Sequence, residues 1–352
     1  MVTLKDVARE SGFSTTTVSV VLNDAPLAQE IPPKTRQHVR NVARRLGYRS
    51  NLVARSLRTK RSQTIGVIVS DLVDPYCDQI LQGIENALFK SSRLPLVTDI
   101  QNNRDRFSRC VQMLLERRVD GLILVANSLS LKTSALDVLS QKTVPGVVIG
   151  RETKQFSLSS VTINNGAGTY RGMRHLAELG HRKMAFIKGP KQIVDTGPRW
   201  EGICRFAREA GVQIDARLVR SISQPASSFQ AGYELTCALL ESKRDFTALM
   251  AFDDVTAFGA IRALTRVGKR VPEECSVVGF DDVAMAAFYN PPLTTIRQPM
   301  ELLGTLSVEM LSQVIGAGMN NRRFTPRHVK VEPELVVRES TCAPHTIVAA
   351  NR

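Results

Sequence analysis

Three short helical patterns open the chain. In the first, Leu4, Val7 and Ala8 recur at i, i+3 and i+4, the spacing that gives a helix one apolar face. The pattern stops at Gly12, and a glycine just past a helix commonly adopts the left-handed conformation that ends it. The spacing therefore predicts a helix followed by a tight turn.

The second pattern predicts a helix where intrinsic propensity favours a strand. Ser14 can cap a helix in which Val18, Val21 and Leu22 repeat the apolar spacing. The stretch is rich in β-branched Thr and Val residues, which favour strands. We predict a helix nonetheless, because propensity is a weak guide for short segments that pack against a neighbour. Two helices joined at a glycine form a helix-turn-helix.

A third helical pattern begins near Pro33 and ends at Gly47. Proline is tolerated at the first helical position, and a glycine after the last apolar residue is a natural stop. Between them Val39, Val42 and Ala43 supply an apolar face. Three such helices can share one small core.

From Thr64 onward, strands alternate with helices. Ile65 to Val69 is a continuous apolar run, and a helical pattern with Ile80 and Ile84 on its apolar face follows it. Further strand candidates lie at 94–98, 121–125, 146–149, 161–163, 184–187, 248–251 and 276–280. This alternation predicts an α/β fold of parallel sheets covered on both faces, and some 290 residues are enough for two. Ligands of such sheets bind beyond the carboxyl ends of the strands, so we expect a site in the loops after Val69, Ile187, Ala251 and Phe280.

The charge is concentrated in the helical module. The 352 residues carry a net charge of +14, and residues 1–62 hold 12 Lys and Arg against 4 Asp and Glu. Basic residues around short helices are expected of a module that neutralises phosphates. Six cysteines without a C-x-x-C pair indicate neither a zinc site nor a disulfide framework. We find no signal-peptide pattern and no membrane-length apolar stretch, so we expect a cytoplasmic protein with no membrane partner, metal or cofactor.

The module resembles the DNA-binding domain of the lactose-repressor (LacI/GalR) family. The matching stretches are Thr3-Leu4-Lys5-Asp6-Val7-Ala8, Gly12, Ser14, Thr17-Val18-Ser19, Val21-Leu22-Asn23 and Val53-Ala54-Arg55-Ser56-Leu57. The resemblance implies a helix-turn-helix domain at 1–49 and a hinge helix at 50–62. It implies that Leu57 wedges between base steps in the minor groove, flanked by Arg55.

The resemblance also assigns base reading to the start of the second helix. By carry-over, Thr15 and Thr16 take the first two reading positions, and Val20 stands where many members have arginine. Valine makes only apolar contact, so this position cannot form a bidentate pair with guanine. Ser14, Ser19 and Asn23 are better interpreted as caps and phosphate contacts.

The rest of the chain resembles the family's two-lobed, periplasmic-binding-protein-like body. The matching stretches are Asp74-Pro75-Tyr76, Asp120-Gly121-Leu122-Ile123, 175–181, Arg199-Trp200-Glu201-Gly202, Val278-Gly279-Phe280-Asp281-Asp282 and 292–296. The resemblance implies a first lobe of 63–162 plus 293–320 and a second lobe of 163–292 plus 321–340. Residues 341–352 form a tail without a readable pattern.

In the family an effector lies between the lobes. Carried over residue by residue, the candidate contacts are Asp71, Tyr76, Arg199, Asp253 and Asp281, with Trp200 able to cover an apolar ring face. Carboxylates and a guanidinium satisfy hydroxyl groups, which favours a sugar or related polyol. Asp253 stands where many members have asparagine, and Asn164 where many have aspartate. Asp281 and Asp282 after a strand could equally be turn residues.

These features predict a ligand-responsive transcriptional regulator, most simply a repressor. We expect a homodimer on a pseudopalindromic DNA operator. An enzyme on a dinucleotide-binding fold is the first alternative, but after Gly166 and Gly168 the next glycine, Gly172, comes one residue too late for the G-x-G-x-x-G motif. A sugar-binding transport component is the second, and it leaves the basic module unexplained.

Overall fold

The computed structural model describes residues 2–23, 25–48, 61–126, 144–154, 158–223, 228–319 and 325–344. The chain divides into two compact units, Met1–Gln63 and Thr64–Arg352. We call them the module and the body. None of the helices within the described ranges has the length and apolar character needed to cross a membrane.

The module contains the three predicted helices. They are α1 (Leu4–Ser11), α2 (Thr15–Leu22) and α3 (Pro33–Arg45), with a 3-10 turn at Pro26–Glu30. The helix predicted against the strand propensity of its residues is confirmed, because Val18 and Val21 of α2 are fully buried against the other two helices. Burial of one apolar face outweighs the small propensity cost of β-branched residues.

Local features fix the two ends of α1 and the start of α2. The Asp6 N–H donates to Thr3 Oγ1 at 3.3 Å, and the Thr3 N–H donates to Asp6 Oδ2 at 2.9 Å, so the two residues form a capping box. Gly12 has a φ of 73°, as predicted for the end of the helix. The Thr17 N–H donates to Ser14 Oγ at 3.1 Å, which confirms Ser14 as the cap of α2.

The first sheet of the body is entirely parallel. Its strands are β1 (Thr64–Val69), β2 (Leu94–Asp99), β3 (Gly121–Val125), β4 (Gly146–Ile149), β5 (Ser159–Ile163) and β11 (His328–Val331), in the order β11-β5-β4-β3-β1-β2. Its helices in the described residues are α4 (Pro75–Lys90), α5 (Arg104–Glu116) and α10 (Met300–Met319). A Cβ on Gly83 of α4 would lie 2.1 Å from the Glu301 carbonyl oxygen, so this glycine permits α4 and α10 to pack closely.

The second sheet is parallel except for one edge strand. Its strands are β6 (Met184–Lys188), β7 (Val219–Ser221), β8 (Ala248–Met250), β9 (Ser276–Asp281), β10 (Thr294–Arg297) and β12 (Glu334–Val336), in the order β12-β10-β9-β8-β6-β7. Strand β12 is antiparallel to β10. Its helices are α6 (Asn165–Glu178), α7 (Thr196–Glu209), α8 (Phe229–Glu241) and α9 (Asp254–Arg266). We call each sheet with its helices a lobe.

The lobe boundaries differ from the predicted ones at two crossovers. Residues 293–320 were expected in the first lobe, but β10 pairs with β9 in the second sheet. Residues 321–340 were expected in the second lobe, but β11 pairs with β5 in the first. The chain therefore crosses between the lobes after β5, β10 and β11. Backbone pairing decides which sheet such short strands join, as when β11 pairs with β5 from more than 150 residues away, and local pattern carries no information about it.

Residues 340–342, where the patternless tail begins, are bound to the second lobe. Ser340 Oγ donates to the Val277 carbonyl at 2.6 Å, and the Cys342 N–H donates to Ser276 Oγ at 3.0 Å. The buried ring of His181 also contacts the Cys342 carbonyl at 2.9 Å. Polar side chains, rather than an apolar pattern, hold this segment in place.

Candidate functional site

The outward face of α2 carries the predicted base-reading residues. Thr15 and Thr16 are exposed, and Val20 is half-buried, while Val18 and Val21 point into the module core. Two hydroxyl groups and one apolar side chain are therefore available for contact with a binding partner. This face can make hydrogen bonds and methyl contacts, but it offers no guanidinium.

The residues interpreted as caps form local hydrogen bonds. Ser14 accepts from Thr17 as described above, and Asn23 Nδ2 donates to the Ser19 carbonyl at 2.7 Å and lies 3.3 Å from Ser19 Oγ. These bonds fix the two ends of α2. The predicted hinge residues Arg55 and Leu57 lie outside the described residues.

In the body, a buried guanidinium lies at the centre of a polar cluster. Arg199 is 5% exposed; its Nε donates to Asn165 Oδ1 at 2.9 Å, and its Nη2 donates to Asp281 Oδ1 at 3.3 Å. Asn165 Nδ2 in turn donates to Asp195 Oδ1 at 2.8 Å, and Gln298 Nε2 donates to Asp281 Oδ1 at 2.5 Å. We call these five residues the Arg199 cluster.

Two aromatic rings hold the guanidinium in place. Its central carbon lies 3.7 Å from the ring centroid of Phe280 and 4.6 Å from that of Phe252. Nη1 donates to the Phe252 carbonyl at 2.6 Å. Planar stacking and fixed hydrogen bonds leave Arg199 little freedom, so its orientation is set before any ligand arrives.

Burial dominates the electrostatics of this cluster. Burial raises the pKa of Asp281 well above its usual range, and the positive charge of Arg199 opposes that shift. Burial also raises the pKa of Asp195, again against the effect of Arg199. Arg199 is thus the cation on which both buried carboxylates depend for their negative charge.

A cavity of about 490 Å³ lies between the two lobes beside this cluster. Asn165 and Asp195 belong both to the cavity wall and to the cluster. Its charged lining residues are Arg151, Glu152, Asp195, Glu201, Arg205 and Lys330, three of each sign. The volume and the polar wall suit a small molecule that makes many hydrogen bonds.

Tyr76 brings the first lobe to the cluster. The side chain is 4% exposed. Burial raises its pKa, and the negative charges of Asp195 and Asp281 in the second lobe raise the pKa further. Tyr76 therefore faces the acidic side of the cluster across the lobe interface.

The other carboxylates predicted as effector contacts serve the backbone. Asp71 Oδ1 accepts from the Val73 N–H at 3.0 Å, and Asp253 Oδ1 accepts from the Thr256 N–H at 2.8 Å as the cap of α9. Each of these bonds leaves the second carboxylate oxygen for other partners. Local turn and capping bonds therefore account for part of what Asp71 and Asp253 do, and their contact with an effector stays a prediction.

Trp200 packs within the second lobe, and its predicted contact with a ligand stays a prediction. Its ring packs edge-to-face on Phe186 at 5.7 Å between centroids, and Lys188 Nζ lies 4.3 Å from its centroid. Neighbouring residues on a helix point about 100° apart, so Trp200 turns to the lobe core when Arg199 turns to the cluster. The indole thus contributes to packing within the second lobe.

Sequence reasoning missed several polar residues of this site. Asn165 links Arg199 to Asp195, Gln298 binds Asp281, and Lys330 pairs with Glu152 at 3.0 Å on the cavity wall. Gln298 directly follows β10, which the pattern did not predict, so the rule that sites lie beyond the carboxyl ends of strands did not point to it. Lys330 lies in β11, another strand that the pattern did not predict, so sequence reasoning could not place it at the cavity.

Both units match known families. Residues 3–51 match the family of bacterial regulatory proteins, lacI family, and residues 173–341 match the periplasmic binding protein-like domain. The transcriptional repressor PurR of Haemophilus influenzae is 33% identical over 343 residues, 97% of this chain and 98% of that protein. The chain belongs to the lacI family. The two alternatives, an enzyme and a transport component, find no support in these relatives, which are DNA-binding regulators.

Solved structures of the lacI family share the fold. The Lac repressor dimer bound to operator and the anti-inducer ONPF aligns with a TM-score of 0.84 and 30% identity over 97% of this chain and 99% of that chain. A complex of the transcriptional regulator CelR with cellobiose aligns with a TM-score of 0.72 and 29% identity over 97% and 100%. This lacI-family chain is a DNA-binding transcriptional repressor with a helix-turn-helix module and a two-lobed body.

Proposed function

We propose that the chain represses transcription from a pseudopalindromic operator as a homodimer, and that a sugar-like effector in the inter-lobe cavity controls it. The observation that supports the effector site is that Asn165 and Asp195 line the cavity and also belong to the Arg199 cluster. Glu152 and Lys330 line the same cavity from the first lobe, so a ligand in it can contact both lobes.

Base reading is assigned to α2. Thr15 and Thr16 lie exposed at its first turn, where a recognition helix meets base edges. Threonine can bond either base type or touch a thymine methyl, and Val20 adds an apolar contact. The half-site should therefore differ from that of a family member with arginine at the third position.

The dimer is supported by exposed apolar surface on both lobes. Phe288 is 86% and Phe229 55% exposed on the second lobe, and Phe89 is 80% and Leu94 65% exposed on the first. A second copy that covered these side chains would remove apolar surface from water, and the Lac repressor, which is similar to this chain, binds operator as a dimer. A two-fold pair would place two α2 helices about 34 Å apart, one turn of DNA.

A sugar-like effector is supported by the chemistry of the cavity wall. Thr162, Asn164 and Asn165 add neutral donors and acceptors to the charged residues, and no aromatic ring is among the described residues that line the cavity. Hydroxyl groups suit such a wall, whereas a planar base gains most from stacking. The effector would act by favouring one angle between the lobes, which shifts the equilibrium between DNA-binding states.

Selection of bound DNA from a random pool tests the operator proposal. The wild-type chain should enrich a two-fold symmetric site, and Val20→Arg should change the preferred half-site, since one bidentate contact discriminates between bases by about 1–3 kcal/mol. Asn41→Arg, on an exposed face of α3, adds the same charge elsewhere in the module and should leave the preference unchanged. An unaltered site for Val20→Arg would remove Val20 from the interface.

Calorimetric titration with a panel of neutral sugars and purine bases tests the effector proposal. Purines are included because the similarity to PurR repressors extends along the whole chain. Binding of a sugar should be lost in Asn165→Ala and retained in Asn86→Ala, an exposed position on α4. Binding of a purine alone, or of a sugar equally in both variants, would reject a sugar-like effector in this cavity.

A further inference from the structure

A second cavity of about 560 Å³ lies at the amino ends of strands in the second sheet, opposite the carboxyl ends that carry the Arg199 cluster. Its walls come from the segments that immediately precede β6, β7 and β8, which are neighbours in the sheet order β8-β6-β7. Asp281 of the Arg199 cluster and Phe252, which stacks on Arg199, lie at the carboxyl ends of strands, whereas this cavity lies at the amino ends. It is therefore separate from the effector site.

The cavity collects positive charge from three distant parts of the sequence. We call it the basic cleft; its cations are Arg182, Lys183, Arg217, Lys243 and Arg244, and its carboxylates are Asp215 and Asp245. All five cations are exposed. Like charges brought together by folding repel one another unless a counter-charge is present.

The two carboxylates do not neutralise this set. Asp215 is held by Arg217, through contacts of 2.9 Å from both Nε and Nη2, and Asp245 lies 3.8 Å from Lys183. Exposed pairs of this kind contribute little. Within the described part of the chain, Lys243 and Arg244 take part in no ion pair.

Two of the guanidinium groups are already fixed in place. Arg182 Nη1 donates to the carbonyls of Ala177 and His181 at 2.8 and 2.9 Å, and Arg217 is fixed by Asp215. An arginine held in this way loses less conformational entropy on binding a ligand than a free side chain. The remaining N–H groups of both stay available at the cavity.

We propose that the basic cleft is a second ligand site, which takes a small anion carrying two or more phosphate groups. Arginine forks match phosphate oxygens, and Lys243 and Arg244 add the charge that a multivalent anion requires. The cavity volume fits a small molecule. The site does not depend on the identity of the effector bound between the lobes.

Titration of the full-length chain with inorganic tripolyphosphate, at an ionic strength of about 0.15 M where surface attraction is screened, tests this proposal. The double variant K243Q/R244Q should weaken binding about tenfold or more, because two charge-assisted contacts are lost. The control R174Q/K191Q removes two exposed cations of the same lobe that do not line the cleft, and it should weaken binding less than about twofold.

Two results would overturn the proposal. Equal losses in the two double variants would place the anion on the general basic surface, including the module. Absence of saturable binding to the wild-type chain would show that the cleft holds no phosphate ligand. Parallel titrations with ADP and with glucose 1,6-bisphosphate distinguish a nucleotide from a sugar phosphate, and either one supports the site if K243Q/R244Q weakens its binding.

Discussion

The module and the body use polar residues in opposite ways. The buried core cluster in the described part of the module consists of seven Val and Ala residues with larger apolar side chains packed around it, and the polar residues bond mainly to near neighbours in the sequence. The body buries Arg199 together with two carboxylates, and aromatic rings stack on its guanidinium. The predicted base-reading surface of the module is defined by local sequence, whereas the proposed effector site of the body depends on groups that tertiary structure brings together.

The strongest test of this contrast removes the buried cation. Arg199→Ala leaves Asp281 and Asp195 buried without their positive partner, which should destabilise the body by about 3–5 kcal/mol. Thermal unfolding of the variant measures this loss. Arg199→Lys keeps the charge but not the planar fork, so it should recover part of the stability and none of the effector response. A body as stable as wild type in Arg199→Ala would show that the cluster is not held by this charge.

Matched core deletions compare the two units directly. Val18 of α2 and Val277 of β9 are both fully buried, and their replacement by Ala should each cost about 1–3 kcal/mol. The module has little stability to lose, so Val18→Ala should unfold it and abolish operator binding. Val277→Ala should keep operator binding at room temperature and only lower the unfolding temperature of the body. Similar operator affinity in both variants would contradict a marginal module.

The stability of the body should depend on pH through Asp74, the cap of α4. Burial raises the pKa of Asp74 to about 6 from 3.8, and the negative charges of Asp253 and Asp71 add to the shift. The folded state therefore binds this proton more tightly than the unfolded state, so the contribution of Asp74 to stability falls as pH rises from about 4 to 6.

Asp74→Asn keeps a capping side chain and removes the charge. It should stabilise the body by about 1–2 kcal/mol at pH 8, and the gain should vanish below about pH 3, where Asp74 is protonated in both states. Urea denaturation at a series of pH values measures the difference. A gain that does not change with pH would mean that the charge of Asp74 is not its cause.

The smallest expected effect concerns the capping box. Thr3→Ala removes the oxygen that accepts from Asp6 and should destabilise the module by about 1 kcal/mol. Thr305 of α10 bonds the Glu301 carbonyl within its own helix, and Thr305→Ala should change stability by less than about 0.5 kcal/mol. Amide hydrogen exchange in α1 reports the first change, and unaltered protection there would exclude a capping role.

The sequence by itself determined the elements whose signals are local. The caps, the glycine at the end of α1 and the apolar spacing located all three helices of the module, and continuous apolar runs located eight strands of the body. Family motifs added Arg199 and Asp281, which the structure joins in one cluster. These signals depend on residues within a few positions of one another.

Only the tertiary structure decided which sheet β10 and β11 join, where the tail binds, and which polar residues meet. Asn165 reaches Arg199 from the start of α6, Gln298 reaches Asp281 from the segment after β10, and Lys243 lines the same cavity as Arg217 from a separate loop. Contacts of this kind depend on long-range strand pairing and on the free energy of burying charge, and neither leaves a periodic trace in the residues near the contact.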